Sequence, residues 1–142
     1  MYRADAAAAG AGITVDVHGP GDVTARMTVT EAMLNGHGTC HGGYLFLLAD
    51  AAFGCACNSY GNVTFAAAAN IAFLAPAHAG EALLARATER ARTGRNGVYD
   101  VTVARATGEI IAEFRGHSRM TSASLAVGGD QAPPGAQSEP PG

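Results

Sequence analysis

Residues Asn35 to Asp50 read NGHGTCHGGYLFLLAD, a polar, glycine-broken segment that runs into an apolar stretch. That stretch carries a single carboxylate, Asp50, and continues as AAFGCAC. Gly42 and Gly43 stand where a helix would begin, so unpaired backbone N–H groups and the positive end of the dipole face outward there. Donors placed that way can hold an oxyanion, and glycine lets a bulky carbonyl approach the backbone closely. The neighbours of Asp50 three and four residues away are Phe46, Leu47, Phe53 and Gly54. Burial among them would disfavour its ionised form, while N–H donors or a partner's helix terminus would favour it. A carboxylate so poised either activates water or attacks a carbonyl directly; the competing reading is a solvent-facing helix acid.

Gly42 and Asp50 are eight residues apart, about 12 Å along a helix axis. One helix therefore cannot bring both to the same carbonyl. A second copy, antiparallel across a two-fold axis, brings Asp50 of one chain near Gly42 of the other, and does so twice. The expectation is a homodimer with two composite sites.

Other residues carry two readings each. His41 either fixes the helix entry or touches a substrate carbonyl. Asn35 is most simply a turn residue. Tyr44, Phe46 and Phe53 belong to the core or line an acyl pocket. Arg90, Arg92, Arg95 and Asn96 flank the turn TGRNG and either meet the phosphates of a ligand or form a solvated hairpin tip. Arg115 and His117 are weaker candidates for the same task. His37, Cys40, His41, Cys55 and Cys57 raise the question of zinc, but a Cys-x-Cys pair within a helix points its sulfurs apart and the spacing fits no standard ligand set. No metal and no cofactor is expected.

The elements that must position these residues are readable from pattern. Ala6 to Gly12 suits a short helix, and Ile13–Val17 and Val23–Thr30 alternate around a Gly-Pro-Gly-Asp turn, as a hairpin does. A helix from about Gly42 to Asn58, apolar on nearly every face, predicts burial. Val63–Leu74, Glu81–Arg92, Val98–Ala104 and Glu109–Met120 read as strands, stopped by Pro76, Gly80, Thr93–Gly97 and Thr107-Gly108. The order is hairpin, buried helix, then a four-stranded antiparallel meander, an α+β arrangement in which one sheet wraps one long central helix. Domain bounds follow: an N-terminal helix or arm over 1–12, the domain over 13–121, and a disordered Pro/Gly-rich tail over 122–142.

Composition sets limits. The chain has 142 residues, 48% hydrophobic and only 15% charged, with a net charge of −3. That length supports one domain with a real core, and the apolar excess points to surface covered by a partner. Without a basic run, nucleic acid is not an expected partner. Three cysteines beside the apolar run suit a reducing compartment, and the N-terminal MYRADAAAAGAG lacks the apolar core of a secretory signal. No stretch is long enough to span a membrane. A cytoplasmic protein is expected.

The run NGHGTCHGGYLFLLADAAFGCACNSYG resembles the signature of the PaaI-like acyl-CoA thioesterases of phenylacetate degradation, hotdog-fold enzymes. The likeness extends from about Ile13 to Thr121, through LNG before the glycines, the proline after the long strand, GRNGVYDV, and FRGHS near the end. It implies hydrolysis of aromatic, phenylacetyl-type acyl-CoA thioesters, with Gly42 as the oxyanion amide and Asp50 as nucleophile or general base. It also implies that the Asn35 amide orients the thioester or the attacking water, and that Val63–Leu74 pairs with its symmetry mate, the dimers assembling into a homotetramer. Substrate contacts then fall on Gly43, Tyr44, Phe65, Ala67, Arg90, Arg95 and Asn96, the small residues Ala66–Ala69 leaving room for an aromatic ring. A hotdog dehydratase would need a His and acid in a differently spaced motif. A non-catalytic acyl-CoA-binding or regulatory hotdog protein is the alternative, against which stand both Gly42 and Asp50.

Overall fold

The computed structural model describes residues 5–124. In chain order the elements are α1 (Ala6–Gly10), β1 (Thr14–Gly19), β2 (Asp22–Thr28), a 3-10 turn at Glu31–Met33, α2 (Gly42–Cys57), β3 (Asn62–Phe73), β4 (Ala82–Thr93), β5 (Asn96–Arg105) and β6 (Ile110–Ser124). The strands form one antiparallel sheet in the order β1-β2-β4-β5-β6-β3. All six touch α2, which is the hotdog arrangement. Strand parity explains the layering: in β5, Val101 and Val103 are fully buried against the helix while Asp100 and Thr102 turn outward.

The expected four-stranded meander is corrected. Only β4, β5 and β6 run as a meander; β3 crosses to the far edge beside β6, and β4 pairs with β2 instead. The segment between Phe73 and Ala82 is a crossover and not a hairpin turn. The N–H groups of Leu74 and Ala75 donate to the Ile111 carbonyl, at 2.8 and 3.2 Å. Further on, Cys40 N–H donates to Ala77 O at 2.8 Å and Gly80 N–H to Val29 O at 2.7 Å, tying the crossover to the loop before α2 and to the end of β2. Arg105 closes it from outside, with Nη1 on the Glu81 carboxylate and Nη2 on the Pro76 carbonyl. Its Nε sits 3.0 Å from Glu109 Oε1, but at an angle that leaves it without a hydrogen bond.

The expected tail also starts later than position 122, because β6 continues to Ser124. The rest of that tail, residues 125–142, and residues 1–4 of the arm lie outside the described residues.

Aromatic packing sets the rotation of α2. Phe53 meets Tyr99 and Phe114, each at 5.7 Å between ring centroids, and Phe46 meets Phe114 edge-on at 5.3 Å. Such pairs contribute about 0.5–1.5 kcal/mol each beyond area burial. A Cβ at Gly116 would lie 2.7 Å from the Phe53 ring, so only glycine lets β6 approach this closely. With Phe53 held there, the direction of Asp50, one turn earlier, is fixed as well.

The far end of α2 is clipped to β3 by Asn58, whose Nδ2 donates to Gly54 O and Thr64 O at 2.8 and 3.0 Å while its Oδ1 accepts from Thr64 N–H at 2.8 Å. Glu89 accepts from the hydroxyls of Tyr60 and Tyr99 at 2.7 and 3.1 Å, and Arg92 lies 3.7 Å over the Tyr60 ring. These contacts join the helix end to the bulge in β4 that separates Glu89 from Ala91.

Burial of α2 is less complete than its sequence suggests. Gly43 is exposed, and Leu47, Asp50 and Gly54 are half-buried. At spacings of four, three and four residues they form one stripe. This face turns away from the sheet, with the short α1 beside part of it. Among the described residues no helix is long and apolar enough to cross a membrane.

Candidate active site

The N-terminus of α2 is accounted for donor by donor. The Gly43 N–H is taken by the His41 ring, whose Nδ1 accepts it at 3.1 Å. Tyr44 and Leu45 donate to the His41 carbonyl at 2.9 and 3.4 Å. The Gly42 N–H is left without a partner among the described residues. No acidic residue stands in the first turn to offset the positive end of the helix. This terminus therefore presents one unspent amide with the dipole behind it, the requirement for stabilising an oxyanion.

His41 is thus the N-cap, in an extended conformation with φ −61° and ψ 136°. Of its two expected roles, fixing the helix entry is the one its Nδ1 performs, and acceptance there places the proton of a neutral ring on Nε2.

Asn35 is the turn residue expected. Its Oδ1 accepts from the N–H groups of His37 and Thr39, at 2.9 and 3.2 Å, and from the Thr39 hydroxyl at 3.3 Å. Two backbone donors on one oxygen fix which way the amide faces. Its Nδ2 has no partner among the described residues. Asn35 and Gly42 line one groove of about 490 Å³ with Thr39, Cys40, Leu45 and the apolar run Phe73–Pro76.

Asp50 lies on the open stripe of α2, half-buried, with no hydrogen bond or ion pair among the described residues. Desolvation raises its pKa above the ordinary 3.8, and the negative charge of Asp5 raises it further. Asp5 is the N-cap of α1, its Oδ1 accepting the Ala8 N–H at 3.0 Å. Two consequences are expected. If Asp50 reacts as the anion, kcat/KM falls on acidification with a midpoint above that of an ordinary aspartate, and a pH–rate profile measures it. A carboxyl whose folded pKa is raised stabilises the fold below its unfolded pKa, and that contribution is lost as pH rises through the folded pKa. Asp50→Asn should therefore raise Tm at neutral pH, with the gain shrinking on acidification; a variant of lower Tm at neutral pH would contradict this.

The expected substrate contacts divide into three groups. Gly43 and Tyr44 line a cavity of about 570 Å³ between α1 and α2 with His41 and Leu47. Phe65, Ala67 and Arg95 come together in a pocket of about 480 Å³ with Arg119, Met120 and Thr121, where β3 meets β6. Asn96 accepts from Arg119 Nη1 at 3.2 Å and lines a neighbouring pocket of about 220 Å³ that shares Ala67 with this one. Arg90 is elsewhere, its Nε 3.5 Å from Asp100 on the outer face of the sheet. Arg115 holds the same Asp100 with two bonds, at 2.6 and 2.8 Å, and keeps that carboxyl below the usual range.

Phe73 and Arg119, which line the Gly42 groove and the β3–β6 pocket, were not signalled by the motif. Their parity was the available clue: Arg119 pairs with Phe65 across the strands, and Phe73 shares the helix-facing side with Ile71 and Ala69. Cys40, Cys55 and Cys57 are buried free thiols, Cys57 pushed up to about 12 by desolvation. Among the described residues no group of three or more His, Cys, Asp and Glu side chains converges as a metal site would.

Residues 37–112 match the thioesterase superfamily model. The acyl-coenzyme A thioesterase PaaI of Escherichia coli K12 is 43% identical over 125 residues, covering 88% of this chain and 89% of the relative. The structure of the E. coli PaaI protein from the phenylacetic acid degradation operon superposes with a TM-score of 0.85 at 44% identity, over 87% of this chain and 90% of that one. A structure of smu.793 from Streptococcus mutans UA159 bound to acetyl CoA gives a TM-score of 0.75 at 25% identity, over 79% and 90% of the two chains.

Proposed function

This chain belongs to the thioesterase superfamily, with the hotdog fold of its PaaI-like branch, and we propose that it hydrolyses aryl-acetyl thioesters of coenzyme A at a site shared between two copies. The observation that carries the reading is the Gly42 amide, left as the one unspent donor of the α2 N-terminus while every other member of that turn is bonded. In this scheme the thioester carbonyl oxygen faces the Gly42 N–H, with the free Asn35 Nδ2 beside it. The ionised Asp50 of a partner subunit either draws a proton from water or attacks the carbonyl carbon. Both routes pass through a tetrahedral oxyanion held by Gly42 and expel the CoA thiolate: water attack gives the free acid at once, whereas direct attack leaves an acyl anhydride on Asp50 that water then hydrolyses to the acid and the carboxylate. A thioester is activated enough that one amide and one carboxylate suffice.

Several features support sharing. Asp50 and Gly42 sit at opposite ends of a stretch of about 12 Å along one helix. The outer edge of β3 is unpaired in the sheet, with Ala67–Asn70 exposed along it, and a strand edge of that kind is a template for pairing with a second copy. In the dimer β3 pairs with its mate, and two dimers make the homotetramer. Phe65, Ala67, Arg95 and Arg119 would receive part of the CoA moiety, the arginines meeting its phosphates. The buried thiols fit a reducing cytoplasm.

The test is a panel of acyl-CoA substrates followed by release of free thiol. Turnover greatest on phenylacetyl and ring-hydroxylated phenylacetyl thioesters is the expected result. Tight binding of the same thioesters with no thiol released would make the protein a carrier and overturn hydrolysis.

A further inference from the structure

Phe73 closes β3 on the side that faces α2, yet the residue is 54% exposed. Its ring is the neighbour that a side chain at Gly42 would strike: an ideal Cβ there would lie 3.0 Å from Cζ and 3.2 Å from Cε1. The absence of a side chain at position 42 thus serves two ends at once. It leaves the approach to the amide open, and it lets the tip of the Phe73 ring sit against the first helical residue. Leu74, 60% exposed, continues the apolar wall toward Ala75 and Pro76, and Leu45 faces it from α2. Asn35 and Thr39 line the same groove. A groove that sets backbone and amide donors beside a half-uncovered ring is suited to orient a carbonyl that carries an aromatic substituent.

We infer that Phe73 is a specificity-determining residue, its ring forming the wall against which the aryl part of the acyl group packs while the thioester carbonyl faces Gly42. The inference rests on the groove being the thioester site. Aromatic pairs gain from stacked or edge-on geometry in a way that a flexible alkyl chain cannot match. Phe73 touches substrate in this account but takes no proton and forms no bond.

The experiment compares phenylacetyl-CoA with octanoyl-CoA, whose acyl groups have the same number of carbons, on the full chain and on Phe73→Leu and Phe73→Ala. The ratio of kcat/KM, aryl over alkyl, is expected to fall about fivefold to tenfold in both variants. Far-ultraviolet circular dichroism and gel-filtration volume should not change. Phe73→Leu keeps an apolar side chain of similar bulk at the strand end, so it decides the matter if Phe73→Ala loses its fold or its assembly. A ratio within about twofold of the wild type in Phe73→Leu, with the wild type active, would overturn the role given to Phe73 alone. A wild type that cleaves neither thioester would remove the thioesterase reading and this inference with it.

Discussion

Asp50→Asn is expected to lower kcat by about two orders of magnitude or more while the protein folds and assembles as before. The side chains are nearly isosteric, and the Asp50 carboxylate makes no hydrogen bond or ion pair among the described residues. No hydrogen bond or ion pair within the chain is therefore lost. What disappears is the only charge on the open stripe of α2, the group able to take a proton from water or to attack a thioester. The rise in Tm expected at neutral pH separates this loss from misfolding, since an inactive variant that is also more stable cannot owe its inactivity to a damaged fold. A variant with a rate near normal would remove Asp50 from the mechanism.

Gly42→Pro is expected to lower kcat by about 10²–10³-fold. Backbone amides are rarely open to side-chain mutagenesis, but three features expose this one. Position 42 is the first residue of α2, where proline is well tolerated. His41 already has φ −61° and ψ 136°, the extended region that a residue before proline prefers. The Gly42 N–H has no partner within the described residues to lose. Proline also brings a Cβ toward the Phe73 ring, so the control is Gly42→Ala, which brings the same Cβ and keeps the N–H. The exposed ring can swing aside for either. With octanoyl-CoA, the difference between the two variants isolates the amide as oxyanion donor; equal rates would assign that task to another group.

How much of this was readable beforehand depends on how local the cause was. The helix from Gly42 was legible because its start signal and its Leu- and Ala-rich body lie within one window. The hairpin at Gly19–Asp22 and the turn at Thr93–Asn96 were legible from turn residues alone. The place of β3 was not, because nothing in Val63–Leu74 says whether its partner is the following strand or the last one. That choice is made by the crossover, held by Ala77, Gly80 and Arg105 through contacts distant in sequence.

At the site, Gly42 and Asp50 could be derived from helix geometry, but the contact of Gly42 with Phe73 spans thirty-one positions and left no local trace. In sequence, the arginines around the TGRNG turn form one basic cluster. Bulges at Arg90 and Ala67 reset the strand parity, and with it Arg90 turns to Asp100 on the outer face while Arg95 meets Arg119. Arg92 in turn stacks on Tyr60, so three arginines within six positions serve three separate purposes.

The sharing of each reaction centre between two subunits is tested most directly by mixing two inactive proteins. Asp50→Asn retains Gly42, and Gly42→Pro retains Asp50. A mixed dimer thus has one centre with both parts intact and one with neither. After subunit exchange at equal concentrations, about half the dimers are mixed, and activity should recover to about one quarter of the wild-type value. Mixed dimers, isolated with two affinity tags, that stay as inactive as their parents would place Gly42 and Asp50 in centres that never meet across the two-fold axis.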